Sequence, residues 1–399
     1  MEKPKIFVIG MWHLGCITAG CMNRLEFPVT CFDFDQSIID KLSNKILPIY
    51  EKDLYEKLFG GSIKFTNSIT DISDADYVFI TYDIGANGIE LNVIDKIIKL
   101  IRPLIKKQII VVRSQVTIGV CEHIQHELKC DVCYFPENLR LGTAVDNFYY
   151  PDWMVFGLSS NKIAKKIDDL FKQIQSYKVF TGLKEAEMIK ISMNCYLATM
   201  ISFSGEISNM CERYDINAKD VLSTLKLDQR VSKNAPILPG LGIGGGTILR
   251  DVKSFRLLGE AIVLDAVYNF NEYRKSYVED KLKSLLGDLG GKTITFFGAA
   301  YKSGTNTLRE SLTVKIIRNL LQNEGVKIKV FDPLIDSGIN DVEFIKIEDA
   351  KNSDAIVIMN EWEGWKDIDY KKLKPNVIID TKNILSESIP HYGIGVKYG

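Results

Sequence analysis

The 399-residue chain lacks the features that mark several large classes of protein. No apolar run approaches the ~20 residues that a membrane-spanning helix requires, and no low-complexity segment interrupts the sequence. Neither sign of charge dominates, because 50 basic side chains balance 51 acidic ones and the formal net charge is -1. No overall field therefore draws the chain to nucleic acid or to a membrane, and an anionic ligand must be held locally.

Histidine and regularly spaced cysteine are also scarce. The chain has four histidines and eight cysteines. Its CxxC motif, Cys130 to Cys133, lies in the strand-like stretch KCDVCYF, and neither a second pair nor a histidine cluster completes a zinc site. We therefore predict no metal site. Irregularly spaced thiols, in a chain that runs straight into a strand without a secretory leader, predict a cytoplasmic protein.

The composition, 46% hydrophobic and 25% charged, is ordinary for a chain that forms two or three cores. The first part alternates helical segments with the short apolar segments KIFVIG, VTCFDFD, YVFIT and QIIVVRS, which predicts βαβ units and a parallel sheet. From about Lys184 to Ala218 the pattern becomes that of one long helix. A new strand-turn-helix series begins at GKTITFFGAAYKSG. The predicted fold class is α/β, with a helical segment between two α/β parts.

The stretch VIGMWHLGCITAG, residues 8–20, suggests the turn of a dinucleotide-binding fold. Gly10 can make the tight turn after the strand, and Gly15 can let helix and strand pack closely. Trp12 stands where a second glycine would let the backbone approach a pyrophosphate, so its side chain should clash unless it turns outward. Asp33 follows the second strand, where a carboxylate accepts from ribose hydroxyls and repels a 2′-phosphate. We predict NAD as the cofactor, bound through these four residues.

Five further segments extend over nearly the whole chain: KLSNKILPIYEKDLYEKL, PENLRLGTAVDNFYYPDWMVFG, EAEMIKISMN, GLGIGGGTILRD and YKSGTNTLRES. Together they resemble the UDP-glucose/GDP-mannose dehydrogenase family, which oxidises the C6 alcohol of a nucleotide sugar to a carboxylate with two NAD. The resemblance implies two Rossmann-like domains joined by a long central helix that also makes a homodimer. It implies an NAD-binding domain at 1–180, a helical dimerisation domain at 181–289 and a nucleotide-sugar-binding domain at 290–399.

In that family a cysteine thiolate traps the aldehyde, a second hydride transfer gives a thioester, and a carboxylate-activated water hydrolyses it. Lys190 and Asn194 lie one helical turn apart and match the lysine and asparagine that steady the oxyanion. Asp251 matches the family's aspartate, and Glu137 matches the first glutamate of its Pro-Glu-Phe-Leu-x-Glu segment. The resemblance implies that these four residues are catalytic.

The departures from the family fall at the reactive positions. Thr247 stands where the family has its cysteine, and a hydroxyl is a poor nucleophile at pH 7 without a dedicated base. Leu141 replaces the family's second glutamate, and Arg250 replaces a lysine. Cys195 follows Asn194 directly and therefore points about 100° around the helix from it. We expect Cys195 not to replace the missing thiol.

The resemblance also implies a substrate site for a nucleotide sugar. A loop that contains Gly244 and Gly245 would let its backbone pass close to the ligand. Arg230 matches an arginine that reaches the neighbouring subunit's substrate, and Lys302 and Arg309 match the wall around the nucleotide.

The predicted function is that of an NAD-linked homologue of nucleotide-sugar dehydrogenases, acting on a UDP- or GDP-sugar in polysaccharide precursor synthesis. We expect it to be unable to complete the four-electron oxidation through a thioester. One hypothesis is an enzyme that performs a single two-electron oxidation, which needs a base and NAD but no thiol. The other is a catalytically silent protein that binds the nucleotide sugar or regulates its use.

Overall fold

The computed structural model describes residues 3–82, 90–323 and 325–398. The chain divides into two units, Met1–Ser192 and Met193–Gly399. The strands of the first unit are β1 (Ile6–Ile9), β2 (Val29–Phe32), β3 (Ile63–Thr66), β4 (Tyr77–Ile80), β5 (Ile109–Val112), β6 (Val132–Tyr134), β7 (Trp153–Leu158) and β8 (Tyr177–Gly182). They form one sheet in the order β3-β2-β1-β4-β5-β6-β7-β8. All neighbours pair in parallel except β6 with β7.

Helices cover both faces of this sheet. They are α1 (His13–Arg24), α2 (Gln36–Ser43), α3 (Leu54–Phe59), α4 (Glu90–Ile101), α5 (Val120–Leu128), α6 (Ala144–Tyr149) and α7 (Ala164–Leu170), with 3₁₀ turns at Ile69–Asp74 and Asn161–Ile163. The central strands read YVFI and IIVV and are buried along their whole length. Continuous apolar strands of this kind are typical of a parallel sheet that is covered on both sides. Two apolar clusters account for the two faces.

The predicted long helix is present as α8 (Leu183–Arg213), which has 31 residues. It lacks proline throughout, so every residue beyond its first turn can donate to the backbone ladder. The helix ends just before Asp215, whose backbone is left-handed with φ 55. The boundary between the two units falls within α8, after Ser192.

The second unit repeats the α/β plan after a set of helices. Its helices are α9 (Ala218–Leu225), α10 (Thr247–Arg256), α11 (Ile262–Tyr273), α12 (Tyr277–Leu286), α13 (Leu312–Asn323) and α14 (Tyr370–Leu373), and short 3₁₀ turns lie at Arg274–Ser276, Ile347–Ala350 and Glu363–Asp367. Its strands are β9 (Thr293–Phe297), β10 (Lys327–Phe331), β11 (Glu343–Phe344), β12 (Ala355–Ile358), β13 (Val377–Asp380), β14 (His391–Gly393) and β15 (Val396–Tyr398).

The second sheet has the order β11-β10-β9-β12-β13-β14-β15. Numbered within its own unit, the first six strands follow 3-2-1-4-5-6, as they do in the first unit. This is the strand order of the Rossmann fold, in which ligands bind where the order reverses, beside the first strand. The prediction of an α/β protein with two Rossmann-like domains and a long central helix is confirmed.

Helix α1 lies close to β1 because residue 15 has no side chain. A Cβ at Gly15 would lie 1.8 Å from the carbonyl oxygen of Gly10 and 3.0 Å from Oγ1 of Thr81. Gly10 itself adopts φ +100, which non-glycine residues rarely tolerate. The two glycines thus have the geometric roles that the sequence assigned to them.

Replacing Gly15 with alanine tests this contact. The added methyl group overlaps backbone atoms, which cannot move without shifting α1 or β1, so Gly15→Ala should lower the free energy of unfolding by at least about 2 kcal/mol. Urea denaturation of the full chain measures the change. Gly259→Ala is the matched control, because a Cβ there would meet nothing within 4 Å. Equal stability of the two variants would contradict the close-packing argument.

Candidate cofactor and nucleotide-sugar sites

The turn between β1 and α1 is tied to the end of β2 by a buried carboxylate. Asp33 is 3% exposed, and its Oδ2 accepts a 2.6 Å hydrogen bond from the backbone N–H of Met11. The first turn of α1 contains no acidic residue. The N-terminus of such a helix favours an anionic group through its unsatisfied N–H groups and its dipole. The turn therefore offers an electropositive backbone for a phosphate and a carboxylate for a ribose.

Trp12 fits the backbone of this turn without strain. Its φ is -87 and its ψ is -155, an extended conformation with negative φ that any residue adopts. The side chain is half-buried, and its ring meets that of His13 edge-on at a centroid distance of 6.4 Å. A tryptophan in place of the second glycine therefore adds side-chain volume beside the turn but leaves its backbone conformation unstrained.

A buried glutamate, to which the sequence analysis gave no role, connects this turn with a second loop. Glu51 is 2% exposed, and its Oε2 lies 2.8 Å from Nε2 of His13. The same carboxylate accepts hydrogen bonds from the backbone N–H groups of Gly142, at 2.9 Å, and Ala144, at 3.0 Å. Burial by itself would raise the pKa of Glu51, but these three hydrogen bonds outweigh it and lower the pKa below its ordinary value. The glutamate lies within the segment KLSNKILPIYEKDLYEKL.

Tyr82, at the end of β4, is a second residue that the sequence analysis missed. Its hydroxyl donates to Oδ1 of Asp33 at 2.9 Å and accepts from the N–H of Phe34 at 3.1 Å. Its ring stacks on Phe34 with centroids 5.5 Å apart. Phe34 is 48% exposed. Two aromatic rings thus lie beside the carboxylate that is predicted to bind the ribose.

The first unit also brings Lys190 to the loop that carries Glu137. Lys190 is 3% exposed, and its Nζ donates to Oδ1 of Asn138 at 3.1 Å. Glu137 is half-buried, and its Oε2 accepts from the N–H of Leu139 at 2.9 Å. Leu141 lies in the same loop and is half-buried. A cationic amine from α8 therefore contacts the loop that carries the carboxylate.

A buried arginine lies beneath this loop. The guanidinium of Arg113 lies between the rings of Phe135, at 4.5 Å, and Phe148, at 5.2 Å, and its Nη1 donates to Oγ1 of Thr18 at 3.0 Å. Burial lowers the pKa of Arg113 to about 10, and the negative charge of Glu137 opposes that shift. The arginine thus remains a cation at neutral pH and presents its positive charge to Glu137.

In the second unit Asp251 forms a buried polar cluster. The Nδ2 atom of Asn194 donates to its Oδ2 at 2.5 Å, and Nε of Arg250 lies 3.3 Å from its Oδ1. Asp251 is 2% exposed, and Arg250 is 7% exposed. Burial, together with the charge of Asp251, raises the pKa of the Cys195 thiol to about 12. Cys195 is therefore a protonated thiol at neutral pH.

The loop that contains Gly244 and Gly245, called the glycine loop below, lies against the segment YKSGTNTLRES. The N–H of Gly245 donates to the carbonyl of Glu310 at 3.2 Å, and a Cβ at Gly245 would lie 3.1 Å from the ring of Tyr301. Gly245 adopts φ +79. Gly244 has open space around it. Thr247 is exposed and is the first residue of α10.

The basic residues predicted for the nucleotide end lie on the surface of the second unit. Lys302 and Arg309 are exposed, and each is the sequence neighbour of a residue that contacts the glycine loop, Tyr301 and Glu310 respectively. Arg230 is exposed, and its guanidinium forms an ion pair with Asp228 at 2.7 Å. The unit therefore brings the glycine loop and the Lys302 segment together, whereas Arg230 bonds to Asp228 in its own turn.

The glycine loop is held in place by two residues of the helical segment. Oδ1 of Asn271 accepts from the N–H of Ile243 at 2.7 Å, and Nη2 of Arg274 donates to the carbonyl of Gly240 at 2.8 Å. Asn271 and Arg274 are 3% and 1% exposed. Their spacing from the loop in sequence gave no indication of these contacts.

These features define a class of protein: a dinucleotide-dependent oxidoreductase built from two Rossmann-like units. The NAD-binding domain of the UDP-glucose/GDP-mannose dehydrogenase family matches residues 4–175. The central domain of that family matches residues 184–272, and its UDP-binding domain matches residues 295–387.

Curated relatives and solved structures agree with this assignment. The chain is 34% identical to UDP-glucose 6-dehydrogenase of Rickettsia conorii, over 98% of this chain and 100% of that protein. It is 30% identical to UDP-glucose 6-dehydrogenase TuaD of Bacillus subtilis, over 96% and 90% of the two chains. A UDP-glucose dehydrogenase structure from Pyrobaculum islandicum superposes with a TM-score of 0.91 at 25% identity, over 99% and 98% of the chains. The chain belongs to the UDP-glucose/GDP-mannose dehydrogenase family, whose cofactor is NAD.

The residues of the first unit fit that cofactor. A Cβ on Gly15 would fill the space between α1 and the turn, and Asp33 presents a carboxylate at the strand end where a ribose binds. Within the described ranges no helix has the length and apolar character needed to cross a membrane. Nor do those residues include three or more His, Cys, Asp or Glu side chains grouped as a metal site.

The Glu51 contacts predict a pH-dependent contribution to stability. Since the folded-state pKa of Glu51 is lowered, its contribution is fully present above about pH 4.5 and is lost as the pH falls through the folded value. Glu51→Gln directs an amide N–H at a donor and should cost about 1 to 3 kcal/mol at pH 7. Urea denaturation at pH 7 and in steps below pH 4.5 should show the difference from wild type shrinking. Glu56→Gln, on the exposed face of α3, is the control, and a deficit independent of pH would contradict the assignment.

Proposed function

We propose that this protein is an NAD-linked dehydrogenase of a UDP-sugar that removes a single hydride, and that it serves polysaccharide precursor synthesis. The observation that carries the proposal is Thr247, which the resemblance of the segment GLGIGGGTILRD places where the family has its nucleophilic cysteine. A threonine hydroxyl is not ionised near neutral pH, and an ester formed on it would lack a thiolate leaving group. The single oxidation converts an alcohol to an aldehyde, with the hydride leaving to NAD and one proton released.

The nearest thiol in the same unit does not supply the missing chemistry. The pKa of Cys195 is raised to about 12, chiefly by burial, so the thiolate that would attack an aldehyde is scarce at pH 7. Cys195 is also 5% exposed, which limits access of a substrate to its sulfur. A covalent intermediate at this residue is therefore disfavoured on both counts.

The first oxidation needs only groups that the chain retains. Bound NAD would supply the hydride acceptor. We assign to Glu137 the acceptance of the proton from the substrate hydroxyl, at one of its carboxylate oxygens. Lys190 Nζ and the Asn194 amide would stabilise negative charge that develops on the substrate oxygen. Asp251 orients the Asn194 amide through their hydrogen bond.

For the nucleotide we assign the glycine loop with Gly244 and Gly245, and the basic side chains Lys302 and Arg309. The similarity of the chain to UDP-glucose 6-dehydrogenases supports the choice of UDP over GDP. Arg230 would act on the substrate of a neighbouring subunit.

We further propose three domains, at 1–180, 181–289 and 290–399, and a homodimer formed through the helical one. Large exposed apolar side chains just after α10 and at the start of α11 support the dimer. Leu257, Ile262 and Val263 are 84%, 81% and 63% exposed in the single chain. An apolar patch of this kind is common at contacts between subunits.

The stoichiometry of the reaction tests the proposed function. With a matching UDP-sugar, the wild-type protein should form one equivalent of NADH and an aldehyde product, without uronate by mass spectrometry. Thr247→Cys places a thiol at the first position of α10, where the helix dipole lowers a thiol pKa, and should restore uronate and a second NADH.

Thr247→Ser is the matched control, because it keeps a hydroxyl and should leave the product unchanged. Two equivalents of NADH from the wild type would contradict the proposal. No NADH with any UDP-sugar that binds would favour the catalytically silent alternative.

The basic residues give a separate prediction about binding. Charge-assisted contacts to a diphosphate contribute about 1.5 to 3 kcal/mol each, so Lys302→Ala and Arg309→Ala should each weaken a UDP-sugar roughly tenfold or more while sparing NAD. Calorimetric titration of both ligands measures this. Arg318→Ala and Lys371→Ala remove exposed cations elsewhere in the same unit and serve as controls. Unchanged UDP-sugar affinity in both test variants would remove these residues from the site.

A further inference from the structure

The ribose carboxylate of the first unit is already heavily engaged in the protein itself. Asp33 Oδ1 accepts from the N–H of Asp35 at 3.0 Å and from the hydroxyl of Tyr82 at 2.9 Å. Asp33 Oδ2 accepts from the N–H of Met11 at 2.6 Å. Two of these donors are backbone groups of the adjoining turns, so the tyrosine hydroxyl is the one side-chain donor among the described residues.

A carboxylate has about four lone-pair positions, two on each oxygen. Among the residues that the structure describes, three donors fill both positions on Oδ1 and one on Oδ2. One position on Oδ2 therefore remains for a ligand. The adenosine ribose of NAD offers two hydroxyls, at 2′ and 3′, and a Rossmann carboxylate with both oxygens available can accept from each.

The ring of Tyr82 is held in place by contacts with Phe34 and with the turn after β1. Its ring stacks on Phe34 at 5.5 Å, with 26° between the ring planes. The ring of Tyr82 also lies close to Gly10 in the turn after β1, because a Cβ at Gly10 would be 2.9 Å from Cδ2 of Tyr82. Burial, and then the charge of Asp33, raise the pKa of Tyr82 well above its ordinary value, although the N–H of Phe34 acts in the opposite direction. The hydroxyl therefore keeps its proton and remains a donor throughout the physiological pH range.

We propose that Tyr82 limits the contact between Asp33 and the NAD ribose to one hydroxyl, by occupying the position on Oδ1 that the second hydroxyl would use. The inference depends on NAD binding at this turn. It makes Tyr82 a specificity-determining residue whose effect is on cofactor affinity and on the pattern of hydroxyl recognition. The negative charge of Asp33, which disfavours a 2′-phosphate, is unaffected.

The test compares NAD with 2′-deoxy- and 3′-deoxy-NAD on the adenosine ribose, by calorimetric titration of the full chain. In the wild type, removal of one hydroxyl should weaken binding roughly tenfold or more, the scale of a hydrogen bond to a charged group, and removal of the other should change it less than about threefold. In Tyr82→Phe, both analogues should bind roughly tenfold or more weakly than NAD, because Oδ1 has become available. NAD itself should bind to this variant at least as tightly as to the wild type.

The ratio between ligands within one variant is insensitive to a general loss of folding or of affinity. A general loss of stability is expected in Tyr82→Phe, because this substitution removes the hydroxyl that accepts a hydrogen bond from the N–H of Phe34. Tyr77→Phe is the matched control. It removes a hydroxyl from the start of the same strand, β4, where the hydroxyl donates to the carbonyl of Lys166. This control should reproduce the wild-type pattern.

Three outcomes would overturn the inference. Wild-type protein that loses affinity equally for both analogues would show that Asp33 already accepts both hydroxyls. An unchanged pattern in Tyr82→Phe would show that the tyrosine does not compete. Failure of NAD to bind to either form would refute this inference together with the cofactor site on which it depends, whereas the first two results leave NAD binding intact. If NAD bound to the Tyr82→Phe variant and not to the wild type, the result would support the proposal in its strongest form.

Discussion

The close approach of Gly15 to the carbonyl of Gly10 is the constraint on which the first unit depends. It sets the distance between α1 and β1, and so fixes where the N-terminus of the helix opens. The Oγ1 atom of Thr81 donates to the same carbonyl at 2.7 Å, and Asp33 accepts from the next residue, Met11, at 2.6 Å. Three neighbouring strands are therefore tied to one turn, and a single methyl group at residue 15 would disturb all of these contacts.

The second unit also has a glycine turn after its first strand that is tied to the end of its second strand by an aspartate. Gly298 adopts φ +95 after β9, and Oδ2 of Asp332 accepts from the N–H groups of Ala299 and Ala300, at 2.8 and 3.1 Å. This arrangement repeats the tie between the first turn and the second strand. The two units differ in what surrounds this turn. In the second unit the segment after the turn supports the glycine loop through the carbonyl of Glu310. One scaffold thus presents a dinucleotide turn in one unit and a candidate nucleotide-sugar loop in the other.

The chemistry available to the protein is set by which groups can ionise. Buried thiols carry raised pKa values, about 12 for Cys195, so a cysteine in the core does not act as a nucleophile at neutral pH. Thr247 is exposed at a helix start but has only a hydroxyl. The proposal of a single hydride transfer rests on this contrast, with proton acceptance assigned to Glu137 and charge stabilisation to Lys190.

The sequence by itself determined the elements, the order of their types and the dinucleotide turn, since strand patterns, Gly10, Gly15 and Asp33 act through neighbours a few residues away. It also predicted, through the family resemblance, that Thr247 stands at the position of the family's cysteine. Only the tertiary structure paired His13 with Glu51, 38 residues apart, Asp33 with Tyr82, 49 apart, and Asn138 with Lys190, 52 apart. These contacts depend on which strand ends meet at one sheet edge, and strand order leaves no trace in local periodicity. A hydrogen bond also needs its two partners placed within a few tenths of an ångström, which only the packed sheet and helices supply.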